Sequence, residues 1–186
     1  MLILGIDPGT ATTGFGILRV KSDSDFEVVD FGLIETEKNT NTAERLLQIH
    51  LKISKIIASY NPDVLAMEKI FFATNAKTVI QVGQAQGVML FAAAQNSIDV
   101  FEYAPGTIKK LISGNGKSDK KQMQKALRNL FGPKIRSRPR KKTHFDNAVD
   151  ALAIALTHAL RLRENGAENI QEKKCSNNQK EKARQK

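Results

Sequence analysis

Several things are scarce in this chain, and each scarcity removes a class of explanation. Of its 186 residues only one is cysteine, Cys175. A lone thiol closes no intramolecular disulfide and builds no cysteine-based zinc cluster, and such usage points to the reduced cytosol. Long apolar runs are also missing. The longest are short and interrupted, well below the roughly 20 residues a membrane-spanning helix needs. The opening Met1-Leu2-Ile3-Leu4-Gly5-Ile6-Asp7 has neither the basic flank nor the cleavage site of a signal peptide. No internal repeat is present. Acidic charge is scarce in one segment. Residues 109–142 hold 1 Asp/Glu against 13 Lys/Arg, whereas residues 1–108 hold 12 against 8. The net charge of +10 is therefore concentrated on an otherwise nearly neutral body. A polyanion is the natural partner for such a block, and nucleic acid is the first candidate.

Apolar residues make up 41% of the chain and charged residues 26%, so most of it can bury a core of single-domain size. Leu2 to Ile6 reads as a buried strand that ends at the turn Asp7-Pro8-Gly9-Thr10. Thr13–Val20 and Phe26–Thr36 read as two further strands, and their short links suggest an antiparallel meander. The period then changes. Leu46, Ile49, Ile53, Ile56 and Ile57 recur at helical spacing, with Asn41 and Glu44 placed as a helix start and Asn61-Pro62 as its end. Residues 63–68 return to a strand, 76–95 to a buried helix and 97–103 to a strand. Residues 107–112 and 119–131 are expected to be helical, 133–142 a basic loop, and 145–162 a helix with Ala148, Leu152, Ala155, Leu156 and Ala159 along one side. The expected fold is a mixed five-stranded α/β sheet with helices on both faces. Residues 1–162 would form one domain, and 163–186 a polar, basic, disordered tail.

Against this outline three acidic positions stand out. Asp7 ends the first strand and Glu68 the fourth. Asp150 lies on an otherwise apolar helix, with Asp146 one turn before it and on the same face. Gathered carboxylates repel one another and resist desolvation, and a hard cation relieves both costs. Mg²⁺ takes oxygen ligands, and a pair of ions about 4 Å apart would suit phosphodiester cleavage. A basic substrate track beside such a cluster makes a nuclease coherent.

At these residues the chain resembles the RuvC family of Holliday junction resolvases. The motifs run in order: Ile3-Leu4-Gly5-Ile6-Asp7-Pro8-Gly9-Thr10, Ala66-Met67-Glu68-Lys69-Ile70-Phe71-Phe72, Gly83-Gln84-Ala85-Gln86-Gly87-Val88, Phe101-Glu102-Tyr103-Ala104-Pro105, Gly114-Asn115-Gly116-Lys117 and Asp150-Ala151-Leu152-Ala153-Ile154-Ala155-Leu156-Thr157-His158. The resemblance implies an RNase H-like nuclease domain. It implies a homodimer that cuts four-way DNA junctions with paired symmetric nicks, using two Mg²⁺ ions per active site with Mn²⁺ as a plausible substitute. It also implies the RuvA–RuvB branch-migration complex as partner. By the same resemblance Asp7, Glu68 and Asp150 are catalytic metal ligands, with Asp146 the favoured fourth, Phe71 stacks on junction bases, and Lys109 and Lys120 approach the scissile phosphate. Lys117, Arg138 and Arg140 in the basic block are candidate DNA contacts.

Three positions depart from the family pattern. The acidic slot three residues before Asp150 holds Asn147, with Asp146 one residue earlier; Asp146 is favoured for the fourth ligand position over Asn147, and His144 comes third. Gln86 stands where an arginine is usual, which removes a charge expected to pair within the dimer or near DNA. Asn115 replaces an apolar or aromatic residue. Competing readings are an actin-like ATPase, which shares the Asp7-Pro8-Gly9-Thr10 turn but needs two lobes, an RNase H-like nuclease acting on RNA, and a junction-binding homologue whose catalysis Asn147 has weakened.

Overall fold

The computed structural model describes residues 1–22, 25–70, 76–135 and 146–165. Five strands, β1 (Leu2–Asp7), β2 (Thr12–Val20), β3 (Phe26–Glu35), β4 (Val64–Glu68) and β5 (Asp99–Tyr103), form one sheet in the order β3-β2-β1-β4-β5. β1, β2 and β3 form the expected antiparallel meander. β1–β4 and β4–β5 are parallel and are joined through helices, as parallel neighbours must be. The helices are α1 (Thr42–Tyr60), α2 (Ala76–Gln95), α3 (Pro105–Ser113), α4 (Lys120–Phe131) and α5 (146–165), with a 3₁₀ turn at Gly132–Ile135.

Side-chain alternation sorts the strands into two faces. Leu4, Ile6, Ile17, Leu65 and Met67 point to one, where Ile49, Ile53 and Ile57 of α1 and Ala85, Met89 and Ala92 of α2 cover them. Ile3, Leu18 and Ala66 point to the other, beneath α3, α4 and α5. α1 begins as read: the Asn41 side chain accepts from the Glu44 amide while the Glu44 carboxylate accepts from the Asn41 amide. It ends at Asn61, in the left-handed region.

Several elements differ from expectation in their ends or their burial. β5 begins at Asp99, because Ser97 adopts φ 55° in a turn closed by Ser97 and Ile98 amides on the carbonyls of Ala94 and Ala93. α3 begins at Pro105, where the fixed φ of proline suits a first helical residue. α4 has its own capping box, Asp119 with Gln122. α5 continues to residue 165, past the expected boundary at 162, and residues 151–159 are buried all round, not along one stripe. The sheet covers one side of α5, and α3 and α4 cover the other, so Val149, Ala153 and Ile154 join the core as fully as Leu152 and Ala155.

α5 lies unusually close to the sheet, and this placement sets up the site. A Cβ at Gly5 would meet the Ala151 carbonyl oxygen at 2.1 Å and the Ala155 amide nitrogen at 2.8 Å. One at Gly14 would meet the Asn147 carbonyl oxygen at 2.1 Å. Only glycine leaves room at these two points, and the contact brings the first turns of α5 onto the carboxyl end of β1.

Candidate active site

Asp7 and Glu68 come together through strand register. Ile6 pairs with Met67 across the parallel β1–β4 junction, so the two carboxylates occupy neighbouring strand ends. They lie on the α5 face by alternation, in phase with Ile3 and Ala66. Crevices outside the carboxyl ends of parallel strands are where open α/β sheets hold ligands. A cavity of about 220 Å³ occupies this place. Asp7, Glu68, Asp150, Lys109 and Lys120 supply its charged wall, and Pro105, Ile108, Met123, Ala153 and Ile154 its apolar wall. A second cavity of about 240 Å³ shares Asp7, Glu68 and Pro105 with the first and continues past Pro8, Lys69 and Ile70. The carboxylate pair therefore sits between two open spaces, as an extended ligand would require.

The electrostatics follow from this crowding. Burial, then Asp150 and Glu68, push the Asp7 carboxyl up to about 7, against a partial opposing pull from Lys120. Burial and Asp150 also raise Glu68, with Lys109 acting against them. Asp150 is raised by burial, and its hydrogen bond to Lys120 works the other way. Burial alone would lower Lys120, but Asp150, Asp146 and Asp7 carry it upward. Lys120 Nζ lies 3.0 Å from Asp150 and 3.7 Å from Asp146. Two lysines thus partly compensate a group of carboxylates that disfavour one another's charge.

An all-oxygen, partly buried and under-neutralised donor set suits a hard divalent cation. Among the described residues, however, no group of three or more His, Cys, Asp or Glu side chains stands ready-made to hold a metal ion. Lys120 occupies part of the role a cation would take.

The candidate residues read from sequence are placed as follows. Asp7, Glu68, Asp150, Lys109 and Lys120 share the first cavity. Asp146 does not line it. Its Oδ1 accepts a hydrogen bond of 2.6 Å from Gln124 Nε2, so its carboxylate is turned toward α4. Lys117 lies in the α3–α4 turn, where its amide donates to Asn115 Oδ1 at 3.0 Å. The departure at Asn115 thus closes that turn. Phe71, Arg138, Arg140 and most of the 133–142 loop lie outside the described residues, as does the tail from 166 to 186.

The departure at Gln86 falls inside the protein. Gln86 is 5% exposed. Its amide donates to the Glu102 carboxylate and approaches Met67 Sδ at 3.0 Å, which ties α2 to β4 and β5. The missing arginine charge is a change inside the protein, facing Glu102. Gln124 was missed altogether. Its signal was present in the start of α4 at Asp119, which fixes the phase that puts Lys120 and Gln124 four residues apart on one face.

A sheet of this order, with carboxylates at the ends of its first and fourth strands and on the helix packed across them, defines an RNase H-like α/β protein with a nuclease-type site. The family model of the crossover junction endodeoxyribonuclease RuvC matches residues 3–158, and the chain belongs to that family. The RuvC of Caldicellulosiruptor saccharolyticus is 42% identical over 160 residues, which are 86% of this chain and 93% of that protein. That of Thermotoga petrophila is 43% identical over 163 residues, covering 88% and 94%. Among solved structures, T. thermophilus RuvC in complex with a Holliday junction substrate superposes with a TM-score of 0.79 at 30% identity, covering 89% of this chain and 96% of that one. Nucleases of this family depend in general on divalent metal ions. Among the described residues no helix is long and apolar enough to cross a membrane.

Proposed function

We propose that the chain resolves four-way DNA junctions in recombination and repair, as a homodimer that makes paired symmetric nicks. The observation that carries this reading is the delivery of Asp7, Glu68 and Asp150 by three separate elements into one cavity that two lysines also line. Asp7, Glu68 and Asp150 would hold Mg²⁺, two ions per site, with Mn²⁺ able to substitute. The bound metal would supply Lewis-acid stabilisation and an activated water. The fourth ligand position lies between Asp146 and Asn147. The remaining steps belong to the side chains. Lys109 and Lys120 draw a phosphate to the carboxylates, and the apolar wall of Ile108, Met123 and Ala153 limits water around them. Lys117, Arg138 and Arg140 would extend the track along the backbone, and Phe71 would stack on junction bases.

A surface remote from the cleft favours the homodimer. Leu47 and Leu51 on α1 and Ile80 and Phe91 on α2 are each more than half exposed. Between them an open groove includes Leu46, His50, Gly87 and Val88. His50 Nδ1 is buried there with no hydrogen-bond partner among the described residues. An apolar patch of this kind on both copies would give a self-complementary two-fold contact, and one active site per subunit would meet one of two equivalent strands. The RuvA–RuvB complex as partner and a cytoplasmic location complete the proposal. Residues 1–162 would act as the nuclease domain and 163–186 as an accessory tail.

The test is incubation with a four-way junction with and without Mg²⁺. Paired symmetric nicks that vanish in Asp7→Asn and Glu68→Gln support the reading. Tight binding without nicks indicates a binding-only homologue, and no preference for the junction over duplex sinks both.

A further inference from the structure

α4 and α5 face each other through two pairs of polar residues, each spaced by one helical turn. α4 presents Lys120 and Gln124, and α5 presents Asp146 and Asp150. The contacts form a continuous chain: Gln124 Nε2 donates to Asp146 Oδ1 at 2.6 Å, and Lys120 Nζ lies 3.7 Å from Asp146 Oδ2 and 3.0 Å from Asp150 Oδ2. The two aspartates do not have equal positions. Asp150 faces both Lys120 and the cavity, whereas Asp146 faces α4 and is absent from the cavity wall.

We propose that Asp146 and Gln124 are positioning residues that hold the Lys120 ammonium beside the cavity, so that Asp146 acts through Lys120 and not as a metal ligand. The argument rests on the active-site reading above. Lys120 is a half-exposed lysine on a flexible four-carbon stem, and one contact does not fix such a group. Asp150 is shared with the cavity and cannot serve Lys120 alone. Asp146 can, because Gln124 fixes the direction of its carboxylate by holding the other oxygen. The capping box of Asp119 and Gln122 in turn fixes where α4 starts, and so which face carries Lys120 and Gln124. Supporting groups of this kind orient the residues that meet the substrate.

The experiment uses the full chain, with Gln124→Leu, Asp146→Asn, Lys120→Ala and the Gln124→Leu/Lys120→Ala double variant. Three quantities are read: the single-turnover nicking rate of bound junction, the Mn²⁺ affinity of the free protein by calorimetry, and the nitrogen-15 NMR signal of the Lys120 ammonium. The proposal expects Gln124→Leu and Asp146→Asn each to slow nicking about tenfold. Junction and Mn²⁺ affinities should stay within about twofold, and the ammonium signal should become motionally averaged. Gln124→Leu should add nothing once Lys120 is alanine, since residues acting through one group are not additive. A tenfold or greater loss of Mn²⁺ affinity in Asp146→Asn would make Asp146 a ligand and overturn the proposal. Independent losses in the double variant, or an unchanged ammonium signal, would also overturn it. Asp146→Asn keeps the shape of the side chain, so it remains decisive if Gln124→Leu does not fold. If the unaltered protein makes no nicks, the endonuclease reading fails, while the ammonium signal still decides the positioning claim.

Discussion

The two faces of the sheet solve different problems with the same strands. On the α1–α2 face nearly every inward residue is aliphatic or alanine, the α1 cap is local, and polar groups inside are few, Gln86 being paired with Glu102. On the α3–α4–α5 face the core is equally apolar at its centre, but at the carboxyl ends of β1 and β4 it gives way to three carboxylates and two lysines. The first face gains from every residue it buries. The second holds charges in an arrangement that works against its own folding, and the tight seat of α5 on Gly5 and Gly14 keeps that arrangement in place. The comparison places the carboxylate site on one face and the exposed apolar groove proposed for self-association on the other.

The largest blow to this contrast would come from Gly5→Val. Its added atoms meet backbone of α5, which cannot move aside locally. The expected loss is about 3 kcal/mol of stability or more, read by urea unfolding. Nicking should vanish too, because displacing α5 carries Asp150 away from Asp7. A stable, fully active variant would refute the role given to this contact.

The next effect concerns pH. The folded protein holds Asp7 protonated up to about 7, against an ordinary value of 3.8. The folded state therefore binds the proton more tightly than the unfolded chain. The stability this group contributes is complete below about pH 4 and is lost as pH rises through about 7. On the order of 3 kcal/mol of metal-free stability should disappear across that window, and Glu68 and Asp150 act in the same sense. Urea midpoints at pH 4.5 and 8 check it, and Asp7→Asn should flatten the slope. A rise in stability across the same window would reverse the assignment.

On the opposite face, Phe91→Ser with Ile80→Ser should weaken self-association by about tenfold or more in sedimentation, while the folded monomer persists. The proposed paired nicking should then give way to single, unpaired nicks. The smallest effect belongs to Gln86→Leu. It leaves the Glu102 carboxylate without its amide partner and should cost about 1 kcal/mol, with junction affinity unchanged. A marked loss of DNA binding in that variant would show that Gln86 bears on the DNA surface.

Much of this organisation was legible beforehand, and what was not has physical causes. Strand alternation and the change of period at Leu46 marked the sheet and α1, because both patterns are local. Asp7, Glu68 and Asp150 could be singled out because a carboxylate at a strand end or on an apolar helix is costly in any fold. The all-round burial of α5 was hidden: which elements cover a helix depends on α3 and α4, whose packing no periodicity in 146–165 records. The direction of Asp146 was hidden for a related reason. Spacing placed it on the face of Asp150, but a contact with Gln124, 22 positions earlier, decides where its oxygens point. The effect of Gln86 was not legible because its partner, Glu102, lies on another element.

The order of the site along the chain has a consequence for synthesis. Asp7 and Glu68 emerge early, the basic helices α3 and α4 follow, and Asp150 comes after both, on α5. A growing chain therefore displays its attraction for nucleic acid before its carboxylate set is complete. Only the seating of α5 across β1 brings Asp150 to Asp7 and Glu68, so the charged wall of the cavity is the last part of the site that the chain completes.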